Sequence, residues 1–236
     1  MKIAAVADIH CRESDTERIR EMARLAEQEA DVLVLPGDLT DHGRVGEMEA
    51  LLRGLSNIQI PVVAVFGNHD HETGQASLLY GMLKSAGIHI LEREHVTIDG
   101  VGFAGVKGFA GGFDDRLLRS FGEIPLKSFV QESVEEASAL RYHLKAMQDA
   151  EKRVAVLHYA PVRDTVVGEP PEIFPFLGTS RLADALDEGG AVLALHGHAH
   201  HGSYEGRTPR GTPTYNVSEK VLKKAGIEKP FSVFEI

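Results

Sequence analysis

The sequence predicts an α/β domain. Short apolar runs of strand length recur along the chain, and most are followed by segments with helical apolar spacing. Five of these runs lead directly into clusters of Asp, Asn and His.

Residues 3–7 read as a first strand. Ser14 with Glu17 fits a capping box, predicting a helix that runs to about Glu29 with Ile19, Met22, Ala23 and Ala26 inward. Residues 32–35 form a second apolar run, and Met48, Leu51, Leu52 and Leu55 mark a second helix. Residues 62–66 follow Pro61 as a third strand, and Leu78, Leu79, Met82 and Leu83 mark a third helix. Residues 96–98 and 101–106 flank Asp99-Gly100, a strong two-residue hairpin signal. A glycine-rich loop over 105–112 precedes a long helix predicted over 129–150, with Val134, Ala137, Leu140, Leu144 and Met147 as core positions. Two more buried strands, 154–157 and 192–195, are separated by a proline-bearing loop (159–178) and a short helix near Leu182 and Leu186. Residues 214–217 and 231–236 read as antiparallel strands.

The 236 residues fit a single domain spanning 1–236. With 43% hydrophobic and 25% charged residues the chain can bury a sizeable core, which argues against disorder. A formal net charge of -10 disfavours a generic nucleic-acid binder. One cysteine, Cys11, rules out an internal disulfide and a thiolate metal cluster. The apolar start is short and leads into Asp8, unlike a signal peptide, and no stretch reaches membrane-spanning length. The expectation is a soluble, cytoplasmic protein with no membrane partner.

The polar clusters carry the chemistry. The first strand ends in Asp8-Ile9-His10, the second in Gly37-Asp38, the third in Gly67-Asn68-His69-Asp70, the fourth in His158, and the fifth in His196-Gly197-His198-Ala199-His200. Ligands gather at the carboxyl ends of strands in α/β sheets, so these groups can converge although far apart in sequence. Carboxylate, amide oxygen and imidazole together suit Mn, Fe or Zn. Two such ions about 3.5–4 Å apart can clamp a phosphate and generate a hydroxide nucleophile. Asp38, on a tight turn after glycine, is the candidate bridging carboxylate.

The ordered series Asp8-x-His10, Gly37-Asp38, Gly67-Asn68-His69-Asp70, His158 and Gly197-His198-x-His200 resembles the calcineurin-like metallophosphoesterases, of the bacterial single-domain type. The resemblance implies a four-layer αββα sandwich, two mixed β-sheets face to face with helices outside and the metal site at the C-terminal ends of strands. It implies two divalent or trivalent metal ions, Mn, Fe or Zn. One would be held by Asp8, His10 and His200, the other by Asn68, His158 and His198, with Asp38 between them. His69 would protonate the leaving oxygen or stabilise the transition state, with Asp70 orienting it. The activity implied is hydrolysis of a small soluble phosphate ester by attack of a metal-bridging hydroxide. Gly37-Asp38-Leu39-Thr40-Asp41 and the Asn68-His69-Asp70 block resemble the diesterase branches. The alternatives are a phosphomonoesterase, a nuclease of the same superfamily, and a non-catalytic scaffold of the same fold.

Other polar residues carry weaker signals. His196 reads either as a group supporting the ligands or simply as a buried residue, His201 as exposed, and His42 and His71 as either pocket-lining or surface groups. His89, His95 and His143 carry no signal, and Cys11 reads as a small buried residue. The glycines at 108, 111 and 112 lack the Gly-Lys-Ser/Thr of a P-loop.

Overall fold

Strands that are apolar on both faces need a packed layer on each side, and this chain meets that need with two sheets and two helical layers. The computed structural model describes residues 1–236. The first half contains β1 (Lys2–Ala5), α1 (Thr16–Glu29), β2 (Val32–Pro36), α2 (Val45–Leu55), β3 (Val62–Val65), α3 (Ala76–Ser85) and β4 (His89–Ile90). The second contains β5 (Glu94–Ile98), β6 (Val101–Val106), α4 (Ile124–Ala146), β7 (Lys152–Leu157), α5 (Phe174–Leu177), α6 (Ser180–Gly189), β8 (Leu193–His196), β9 (Glu205–Arg207), β10 (Pro213–Asn216), α7 (Glu219–Lys224) and β11 (Ser232–Glu235).

One sheet has the order β11-β1-β2-β3-β4, parallel except for β11, which pairs antiparallel with β1. The other has the order β5-β6-β7-β8-β10-β9, with a parallel centre and antiparallel edge strands β5 and β9. The expectation for the C-terminal strands therefore holds for β11 but only in part for β10, which runs parallel to β8 and antiparallel to β9. Helices α1, α2 and α3 cover the first sheet, and α4 and α6 the second.

The period of two in strands separates the cores. In β6 and β7, Phe103, Val154 and Val156 face the first sheet and join the larger core with Leu33, Val34 and Val63. Their neighbours Ala104, Val106, Ala155 and Leu157 face the other way, against Leu140, Leu144, Leu182 and Leu186 of α4 and α6. The Asp99-Gly100 turn forms as expected: Ile98 pairs with Val101, and both turn residues have positive φ (46° and 82°).

Three local expectations shift. The cap of α1 is Asp15, not Ser14, and its carboxylate accepts hydrogen bonds from the Arg12 amide (3.2 Å) and the Arg18 guanidinium (3.1 Å). The long helix begins at Ile124, because Pro125 sits in its first turn, where its missing N–H and fixed φ suit helix initiation. Leu78, Val134 and Val192 lie on the solvent side of their elements.

Phe103 is fully buried between the sheets. Phe103→Ala is expected to lower unfolding stability by about 3–5 kcal/mol in urea denaturation, through lost burial and the cavity left behind.

Candidate metal centre

The topology brings both sheets to one site. Strands β1, β2 and β3 run parallel in the first sheet, as do β7 and β8 in the second, and the polar clusters sit just past their C-terminal ends. Contacts between Asp8 or Asp38 of the first sheet and His158 or His200 of the second show the clusters meeting across the interface.

Two groups of candidate ligands result. Asp8, His10, Asp38 and His200 each offer a ligand atom within 4.8 Å of the others, and Asp38, His158 and His198 do the same. Asp38 belongs to both. Its Oδ2 lies 3.9 Å from His10 Nε2, and its Oδ1 lies 3.4 Å from His158 Nε2. His200 Nε2 is 3.3 Å from Asp8 Oδ1 and 3.4 Å from His10 Nε2. Asn68 joins the second group through Oδ1, which lies 2.9 Å from His158 Nε2.

The local backbone is adapted to this convergence. Asp8, His10, Asp38 and His198 all adopt positive φ (56°, 40°, 48° and 71°), a region that side chains other than glycine seldom occupy. Such strain persists where the surroundings dictate it, and it clusters at functional sites. Gly67 is required by close approach: a Cβ there would overlap Asp38 Oδ1 and lie 2.7 Å from His158 Cε1.

Backbone carbonyls orient the rings. His158 Nδ1 bonds the Pro36 carbonyl at 3.2 Å, which leaves Nε2 for the cage. His198 Nε2 bonds the Phe176 carbonyl at 3.3 Å, which leaves Nδ1. Such outer contacts fix tautomer and ring direction at metal sites. His69 Nδ1 bonds the Asp41 carbonyl at 2.7 Å, with Nε2 4.0 Å from Asp38 Oδ2.

The electrostatics call for cations. Asp38 is 1% exposed, and burial, together with the charges of Asp8 and Asp70, holds its pKa well above the usual carboxylate range. Burial also acts on Asp8, but the hydrogen bond from His200 and the nearby imidazoles outweigh it and depress that carboxyl. Burial pushes His10 and His198 down to about 4, and His158 well below its usual value. Neutral imidazoles are the ligand form, and buried carboxylates are stable when they coordinate metal. The donor set of carboxylate, amide oxygen and imidazole therefore fits a pair of first-row ions.

Asp70 departs from its expected role. Its buried carboxylate does not touch His69; it accepts from the amides of Leu39 (3.1 Å), Thr40 (2.9 Å) and Gly67 (2.9 Å) and from Thr40 Oγ1 (2.6 Å). It ties the loop after β2 to the loop after β3. The group that orients His69 is Asp41, through its backbone carbonyl, a contact that its residue type does not signal. Its carboxylate also lies 3.7 Å from His10 Nδ1 and 2.8 Å from Arg12 Nε. A cleft of about 370 Å³ opens beside His10, His69 and His200, with Arg12, Asp41 and Lys220 on its rim.

The remaining residues sort readily. His196 is fully buried behind the site, bonded to Thr165 Oγ1 at 2.8 Å and the Gly197 carbonyl at 2.9 Å. His201 is exposed, His42 pairs with Glu72 at 3.1 Å, and His71 packs edge-on against Phe66. Cys11 is buried, and burial raises its thiol to about 12, which makes it inert. No helix is long and apolar enough to cross a membrane.

Two outcomes are expected. Asp70→Asn places an NH₂ against a set of N–H donors, so it should cost about 2 kcal/mol or more in chemical denaturation and loosen the loop that carries Asp38. His196 is held neutral in the fold with a pKa of about 4, against 6.5 when unfolded. As pH falls below 6.5 the unfolded chain takes up this proton and the fold does not, so the stabilisation is lost between 6.5 and 4. The stability advantage of the native protein over His196→Gln should therefore shrink by about 2 kcal/mol between pH 7.5 and pH 5.

Comparison with known proteins identifies the family and the fold. The calcineurin-like phosphoesterase family profile matches residues 1–202. No curated protein matched significantly. Among solved structures, a phosphopantetheinyl hydrolase from Mycobacterium tuberculosis superposes with a TM-score of 0.67 at 16% identity, covering 99% of this chain and 95% of that one. The Thermus thermophilus protein TT1561 gives 0.59 at 18% identity, covering 93% and 90%. A putative 5'-nucleotidase from Staphylococcus aureus gives 0.57 at 13%, covering 91% of this chain and 48% of that one. At these identities the neighbours show the fold, two mixed sheets flanked by helices, and the profile match over most of the length shows the family. The chain belongs to the calcineurin-like phosphoesterases.

Proposed function

We propose that the protein is a dinuclear metal-dependent phosphoesterase that favours phosphodiesters of small soluble molecules. The observation that carries this reading is Asp38, shared by both ligand groups with one carboxylate oxygen toward each. Asp8, His10 and His200 would hold one ion, and Asn68, His158 and His198 the other, with Asp38 common to both groups. Two bound ions would supply neutralisation of phosphate charge and activation of a water.

The chain's own residues do the rest. His69 is fixed by the Asp41 carbonyl at Nδ1, so its protons are held at a defined atom and Nε2 faces the Asp38 side of the site. As an imidazolium, with Nδ1–H held by the Asp41 carbonyl, His69 gives its Nε2 proton to the leaving oxygen as the ester bond breaks and is left neutral. The Phe176 and Pro36 carbonyls keep His198 and His158 from rotating out of the cage.

Preference for a diester rests on the likeness of Gly37-Asp38-Leu39-Thr40-Asp41 and Asn68-His69-Asp70 to the diesterase branches. The cleft beside His69 carries charges of both signs, with Arg12 paired with Asp41 and Lys220 nearby.

The test is hydrolysis of bis(p-nitrophenyl) phosphate against p-nitrophenyl phosphate after Mn²⁺ reconstitution. Faster diester turnover is expected. His69→Asn should retain its metal and lose about 10²-fold or more in kcat. Full activity in His69→Asn would remove its assigned role, and a clear monoester preference would overturn the diester reading.

A further inference from the structure

The metal cage continues on one side into a row of aromatic rings that the phosphoester chemistry does not use. The Tyr159 ring lies 4.3 Å from His198, Phe109 5.8 Å from Tyr159, Phe129 4.9 Å from Phe109, and Phe176 6.4 Å from Phe129. Lys107 Nζ sits over the Phe109 and Tyr159 rings at 4.8 and 5.3 Å. The row emerges into solvent as it leaves the cage: Tyr159 is buried, Phe109 and Phe129 are half-buried, and Phe176 is 58% exposed. Leu126, one helical turn before Phe129 on α4 and so on the same side of the helix, is 37% exposed.

The row is buried at the cage and open at Phe176 and Leu126, so its outer end is what offers apolar surface to a ligand. Its position indicates the occupant. Phe176 belongs to the same short helix whose carbonyl orients His198, so its exposed ring and the cage are held by one element. A molecule with its phosphorus at the cage and an apolar arm directed past His198 would cover the row.

We propose that the strip between His198 and Phe176 is a substrate subsite that selects phosphate esters carrying an apolar arm, a ring or an alkyl chain, and that Phe176 is its main specificity-determining residue. This rests on the phosphoesterase reading of the cage. Covering the rings removes apolar surface from water on both partners, and affinity rises with the length of arm buried.

The test is calorimetric titration of the Mn²⁺-loaded protein with methylphosphonate, hexylphosphonate and phenylphosphonate, which keep the phosphorus head and cannot be turned over as esters. Hexylphosphonate or phenylphosphonate is expected to bind at least tenfold more tightly than methylphosphonate, and the longer probe that gains identifies chain or ring. In Phe176→Ser and Leu126→Ser the affinity ratio of that longer probe to methylphosphonate should fall below threefold, and in Leu126→Ser, which lies outside the cage, methylphosphonate binding itself should stay unchanged. Both side chains are partly exposed, and the Phe176 carbonyl that holds His198 is retained, so the variants should remain folded. Methylphosphonate binding with no gain for either apolar probe overturns the subsite and leaves the phosphoesterase reading intact. Absence of all phosphonate binding with metal in place contradicts the phosphoesterase reading and the subsite together. A dimer in light scattering that Phe176→Ser converts to monomer, with phosphonate affinities unchanged, assigns the strip to a contact between copies and overturns the proposal.

Discussion

Asp8 and Asp38 are two carboxylates withdrawn from water at the place where the two sheets meet, with Asp70 buried close behind. Near-neighbouring buried carboxylates repel and are poorly solvated, so such an arrangement has to be balanced by cations or by donated hydrogen bonds. Asp70 is balanced by hydrogen bonds from three amides and a hydroxyl. Asp8 receives the His198 amide and the His200 ring. Asp38 has one amide, that of His69, at 2.9 Å. It is the least compensated of the three and lies between the two imidazole groups. The strained φ values, the glycine at 67 and the carbonyls behind His158 and His198 all serve to keep this carboxylate and its neighbours in place.

The fold makes the arrangement possible because both sheets present parallel strand ends to the same side. The first supplies Asp8, His10, Asp38 and Asn68, the second supplies His158, His198 and His200, and neither sheet alone could surround an ion pair. The core that packs Phe103, Val154 and Val156 against the first sheet fixes the distance between the sheets. Packing and site geometry are coupled for that reason, and a cavity between the sheets would move ligands relative to one another.

Much of this was legible in the sequence. Apolar runs followed by polar clusters located the strand ends, and Asp99-Gly100 located the hairpin, because side-chain type governs both burial and turn conformation. The ordered clusters indicated which side chains would converge, and the structure brings Asp8, His10, Asp38, Asn68, His158, His198 and His200 together. What stayed hidden depends on tertiary placement. The carbonyls of Pro36, Asp41 and Phe176 orient rings, and a backbone carbonyl leaves no residue signature. Asp70 adjoins His69 in sequence, yet its side chain turns the other way to staple two loops, since buried amides of Leu39, Thr40 and Gly67 need an acceptor. The row from Tyr159 to Phe176 draws on four separate segments and has no sequence period to reveal it. Ser14 and Asp15 are both good capping residues one position apart, so residue type alone does not say which one the helix starts after; in the fold it is Asp15.

The claim on which everything else rests is that Asp38 is shared between two metal ions. The most direct measurement is metal content per chain by elemental analysis, after reconstitution and removal of free metal, for the native protein and for Asp38→Asn. Two ions per chain in the native protein, falling to one or fewer in the variant, is the expected result. A native protein that holds one ion or none, or a variant that keeps both, would contradict a bridging carboxylate at this position.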